Sequence, residues 1–197
     1  TSFDFDLGGE QRHDLVFAGL DTVATVLLNG IEVARTANQH RGYRFDVTTL
    51  LVSGENIVEV RFEGPVRAAH RLSAELGERP RAYGHPFNAI RKMAAGYGWD
   101  WGPDLAGVGI WKSVAIESWS GVRLGPVRPL ALVDGSTGRL ETHVELQWAD
   151  EVQSDNAAEV TVTIAGRTAT VTAQPGQTEV VVEVVVTVNV SPGCAVT

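Results

Sequence analysis

Between Tyr97 and Gly102 the sequence reads Tyr-Gly-Trp-Asp-Trp-Gly, so three large flat side chains alternate with two glycines and one carboxylate. Three of the five tryptophans, Trp99, Trp101 and Trp111, lie in the run from Ile90 to Val114. Each offers an apolar face and an N–H donor. Next to a carboxylate, that combination suits a pyranose, whose C–H face stacks on an aromatic platform while its hydroxyls bond an acid or amide. The structural alternative is a tryptophan-rich loop that closes the end of a β-sandwich, and composition does not separate the two.

The rest of the chemistry-bearing residues narrow the classes. The single cysteine, Cys194, has no internal partner, and the five histidines, His13, His40, His70, His85 and His143, are scattered without metal-ligand spacing. No metal and no cofactor is expected. A formal net charge of −8 without a basic stripe argues against nucleic acid and anionic membrane surfaces. No apolar run is long enough to span a bilayer. A neutral ligand fits that balance better. Gly98, Gly102 and Pro103 read as backbone positions for close approach and a fixed turn, because no Gly-x-Gly-x-x-Gly opens a helix.

The elements that must position this segment are mostly strands. Phe3-Asp4-Phe5-Asp6-Leu7 alternates with period two and meets Gly8-Gly9. His13–Leu20, Thr22–Leu28, Ile31–Arg35, Tyr43–Val47 and Ile57–Phe62 read as further strands, with Asn29-Gly30 as a type I′ hairpin turn. Val66, Ala69, Leu72 and Leu76 recur at helical spacing after Gly64-Pro65 and predict one amphipathic helix. From 77 to 109 no period holds, and a loop of that length rich in aromatics points to function. Ile110–Trp119 closes the first domain as a strand. Gly125-Pro126 and Pro129 mark a shift toward Val, Thr and Glu, with strands expected at Val127–Val133, Leu140–Trp148, Glu159–Ile164, Arg167–Thr172 and Gln177–Val190. The last of these is an aggregation hazard if its partner strands are absent. The resulting class is all-β: domains at 1–121 and 122–197, the second spaced like an immunoglobulin-like sandwich but without a Cys…Trp…Cys pin.

Several stretches together resemble one family: Asp14 to Gly30, Tyr43-Arg-Phe-Asp-Val47, His85-Pro-Phe-Asn88, Ile90-Arg-Lys92, Gly98-Trp-Asp-Trp-Gly-Pro103 and Gly109-Ile-Trp111. They are similar to the N-terminal region of glycoside hydrolase family 2 β-mannosidases over roughly residues 3 to 120. The resemblance implies a galactose-binding-like jelly roll followed by an immunoglobulin-like domain, both placed before a (β/α)₈ barrel that carries the catalytic carboxylates. It implies a retaining exo-acting enzyme for terminal β-D-mannose, with this chain inactive on its own. Asp100 is then expected to bond the sugar in the −1 subsite and Trp99 to wall it, while Trp101 is balanced between the pocket edge and the domain interior, toward which alternation would turn it. His85, Asn88, Arg91 and Lys92 are expected to hold the loop or line the pocket edge. Asp104, Glu75, Glu78 and Glu117 read as solvated positions, not as a catalytic pair.

The partners implied are a β-mannoside or other glycan and the chain's own missing barrel. The first domain is expected to lack its opening strands, leaving sheet edges open to a strand-exchanged homo-oligomer. Compartment is unreadable, with a bacterial cytoplasm as the default. Exo-glucosaminidase, β-galactosidase or β-glucuronidase activity, or a free-standing carbohydrate-binding module, are the alternatives.

Overall fold

Asn29 and Gly30 both adopt positive φ, 51° and 80°, as a type I′ turn requires. They join β4 (Val23–Leu28) to β5 (Ile31–Ala37). Asn29 also ties the turn to its surroundings: its amide donates to the Leu50 carbonyl and to Asn56 Oδ1, each at 2.9 Å, and its Oδ1 accepts from the Ile57 N–H at 2.8 Å. Asn56 is fully buried, and its amide is spent on the carbonyls of Val52 and Gly54. The polar groups under this turn are thereby satisfied.

The computed structural model describes residues 1–82, 84–98, 100, 102–135, 137–149 and 157–187. They divide into two units between Ser118 and Trp119, three residues before the boundary read from composition. In the first unit, β1 (Ser2–Phe5), β7 (Gly54–Phe62), β4 and β5 form a four-stranded antiparallel sheet in the order β1-β7-β4-β5. A second sheet has the order β6-β2-β9, from β2 (Arg12–Phe17), β6 (Tyr43–Asp46) and β9 (Val114–Trp119). A core of Leu15, Phe17, Leu20, Val26, Leu28, Val47 and Leu51 fills the space between, extended by Phe5, Phe45, Phe62 and Ile116. This is the all-β sandwich with one helix that the alternation predicts.

Two local expectations are corrected. Ile110–Trp119 is not one strand: β8 (Gly109–Ile110) pairs with β3 (Leu20–Asp21), and β9 begins only at Val114. The break accommodates Trp111, whose indole lies so close to Gly19 that a Cβ there would meet its Nε1 at 2.5 Å. The helix α1 (Pro65–Leu76) forms as expected, with Ala69 buried and Val66 and Leu72 packed against the same cluster, but Leu76 is 60% exposed and Pro65, Ala68 and Ser73 are buried beside Ala69. Small residues face inward because a folded loop, described below, lies directly on them.

In the second unit, β11 (Thr137–Trp148) is flanked by β10 (Val122–Asp134) and β14 (Glu179–Thr187). The hairpin of β12 (Ala158–Ile164) and β13 (Arg167–Ala173) joins its core. Val180 and Val182 point into that core and Val184 is also buried, whereas Val181 and Val185 face outward. Gly125-Pro126 does not end a segment. It sits within β10 as a register shift between Leu124 and Val127, where a proline needs no ladder partner. Residues 188–190 of the strand read to Val190 lie outside the described residues, as does Cys194.

Candidate functional site

The loop that carries the Trp-Asp-Trp segment is anchored from three directions. The first anchor is ionic. Lys92 Nζ meets the Asp21 carboxylate at the end of β3, with the lysine side chain 3% exposed and the aspartate 12%. Thr22 Oγ1 donates to the same carboxylate, so the buried charge has two partners. The second anchor is backbone: the Gln39 N–H donates to the Arg91 carbonyl at 2.9 Å, Asn38 and Arg91 form a parallel bridge, and the Met93 N–H donates to Gln39 Oε1 at 2.8 Å. Gln39, just beyond β5, is buried by this arrangement.

The third anchor is Tyr97, only 3% exposed, clustered with Ala68, Ala69 and Ile90 and flanked by Phe87, Leu72 and Ala106. Its hydroxyl donates to the Pro65 carbonyl at 3.4 Å. Burial, and then the negative charges of Asp21 and Asp104, push the phenol up to about 12. Tyr97 therefore stays neutral at any physiological pH.

Near Tyr97, His85 closes the neck of the loop. His85 Nε2 lies 3.0 Å from Asp104 Oδ2, and its Nδ1 lies 3.1 Å from His70 Nε2 on α1. Residues 85 and 104 are thus drawn together and held to the helix, with Tyr97 and Asp104 also bridged through the backbone. Asn88 donates to the Pro80 carbonyl at 2.9 Å. Both His85 and Asn88 are engaged in shaping the loop. Arg91 is exposed, whereas the adjacent Lys92 is buried.

At the far end, Gly98 has φ 95°, a conformation that favours glycine, and Asp100 is exposed in a turn. No hydrogen bond or ion pair joins Asp100 to another described residue. Trp99 and Trp101 lie outside the described residues. Among the described residues no group of three or more His, Cys, Asp or Glu gathers to hold a metal. Sequence reasoning missed the Asp21–Lys92 pair and the Asp104–His85–His70 chain. The one available signal was that Lys92 is one of only two lysines in a chain whose other basic residues are all arginine.

Residues 1–112 match the family model described as the glycosyl hydrolase 2 galactose-binding domain-like family. The chain belongs to that family. Among curated proteins, this family 2 chain is 42% identical over 128 residues to a β-mannosidase of Capra hircus, covering 58% of this chain and 14% of the relative. It is 30% identical over 170 residues to the β-mannosidase of Mus musculus, covering 82% and 19%. The chain thus spans less than a fifth of these relatives. The crystal structure of a β-D-mannosidase from Dictyoglomus thermophilum superposes with a TM-score of 0.79 at 25% identity, covering 95% of this chain and 24% of that one. An Amycolatopsis orientalis exo-chitosanase shares the fold alone, with a TM-score of 0.59 at 19% identity over 95% of this chain and 20% of that one.

Proposed function

We propose that the chain is the non-catalytic N-terminal portion of a retaining exo-β-mannosidase, supplying part of the −1 subsite through Asp100 and Trp99. The observation that carries this reading is the identity to curated β-mannosidases, which spans the anchored loop. The loop's architecture agrees with it: the anchors lie at residues 85–97 and 104, and Asp100 projects from the held segment into solvent. An exposed carboxylate can accept two sugar hydroxyls at once. A site built for an axial hydroxyl leaves a polar group unpaired with an equatorial one, and that is how such an acid discriminates between epimers. The second unit is read as the immunoglobulin-like domain that joins this module to a barrel.

Retention requires two carboxylates about 5–5.5 Å apart, one attacking the anomeric carbon and one serving as acid and then base. Both are assigned to the barrel, so the chain alone should hydrolyse nothing. The test is to graft this chain in place of the matching region of the D. thermophilum β-D-mannosidase and compare β-mannoside, β-glucosaminide and β-glucuronide substrates. The reading predicts activity confined to the β-mannoside and an inert isolated chain. An active isolated chain, or a graft that prefers another glycoside, would overturn it.

A further inference from the structure

A cavity of about 400 Å³ opens beside the root of the loop, lined by Arg35, Arg41 and Arg91 with Asn38, Tyr43 and Ile90 among its other walls. That volume lies in the range of small-molecule sites, roughly 300–1,000 Å³. No carboxylate lines it. In a chain with a net charge of −8, three guanidiniums around one concavity stand against the overall balance.

The pairing of arginines in the first unit sharpens the contrast. Among the described residues, every one of them except Arg41, Arg79 and Arg91 faces a carboxylate at 4.0 Å or less. Two of those three exceptions line this cavity. A second cavity nearby also has three arginines, Arg35, Arg61 and Arg71, but there Glu63 is in the wall and each guanidinium is paired. Arg35 is already held by Glu32 at 2.9 and 3.2 Å, so the uncompensated charge comes from Arg41 and Arg91.

Both are set on fixed supports. Tyr43 Oη donates to the Asn38 carbonyl at 2.8 Å and accepts the Asn38 N–H at 3.0 Å, and Arg41 lies over the Tyr43 ring at 5.1 Å from its centroid. The Asn38–Arg91 bridge fixes the backbone from which Arg91 projects. The backbone is therefore held at both positions, and what a ligand has left to order is chiefly the exposed Arg91 side chain.

We infer that this cavity binds an oxyanion, a phosphate, sulfate or carboxylate, free or carried on a sugar, with Arg41 and Arg91 as its charged donors. This site is separate from Asp100 and does not depend on the proposed mannosidase role. Calorimetric titration of the chain with sodium phosphate, mannose 6-phosphate and mannose, at fixed ionic strength, tests it. Saturable binding of phosphate or its sugar ester with Kd on the order of millimolar is expected, weakened about tenfold or more by Arg91→Gln or Arg41→Gln and unchanged by Arg79→Gln. Tighter binding of the sugar ester than of inorganic phosphate would identify a sugar-borne anion, and equal binding a free one. Absence of saturation, mannose binding as tightly as its phosphate, or an equal loss in Arg79→Gln would overturn the site.

Discussion

In the loop spanning residues 77–109, a few individual bonds hold the chain: the Lys92 side chain to Asp21, the Met93 N–H to Gln39, and the His85 ring to His70 and Asp104. In β14 the contacts are regular instead, with a nine-residue register against β11 from Glu145↔Glu179 to Thr137↔Thr187 and alternate valines buried. The strand distributes its stability over many equivalent contacts. The loop concentrates it in a few, one of them a buried ion pair, and so presents an exposed carboxylate from irregular backbone. Single substitutions should therefore have very different effects in the two regions.

Lys92→Met should have the largest effect. It leaves Asp21 charged and buried with only Thr22 as partner, at a cost of about 3–5 kcal/mol to the first unit, and adding Asp21→Asn should recover much of that loss. Urea unfolding followed by tryptophan fluorescence measures both. A loss below about 1 kcal/mol for the single variant would shift the hold on the loop to Gln39 and Tyr97.

Next comes Val182→Ala in β14, where Val182 is fully buried. Two methyl groups and a partly collapsed cavity amount to about 2 kcal/mol, confined to the second unit's transition. Thr142, opposite Val182 on β11, offers the opposite sign. Its hydroxyl is buried with no hydrogen-bond partner among the described residues, so Thr142→Val should stabilise the second unit by about 1 kcal/mol. A destabilised Thr142→Val would mean that the hydroxyl is satisfied.

The Tyr97 phenol makes no difference near neutrality and appears only in alkali. Its folded value is raised from 10.0 to about 12, so the unfolded chain releases this proton first. Stability is intact below pH 10 and is lost progressively as pH rises toward about 12. Tyr97→Phe should abolish that part of the slope. Denaturation midpoints across the alkaline range check it.

The same contrast governs how much could be read from sequence. The Asn29-Gly30 hairpin was legible because few dipeptides tolerate two successive positive φ values. The strands of the second unit were legible because β-branched alternation is local; Gly125-Pro126 and Pro129 misled, since β10 bulges at the first and runs on through the second. The inward face of α1 was legible at Val66, Ala69 and Leu72, which belong to or pack against the cluster of Tyr97 and Ile90; it failed at Leu76, and the small residues Ala68 and Ser73 carried little apolar signal to mark them as buried. The Trp-Asp-Trp segment stands out in the sequence by its residue types, and its contact with a sugar is the proposal made above. What holds it was not legible, because Asp21 and Lys92 lie 71 residues apart and meet only once the sheet has formed.

The central claim is that Asp100 of this chain contacts the sugar. Its most direct test is kcat/KM for a β-mannoside in the grafted enzyme carrying Asp100→Ala. The account predicts a fall of at least about tenfold, equivalent to losing roughly 1.4 kcal/mol of transition-state stabilisation. Unchanged kcat/KM would contradict it.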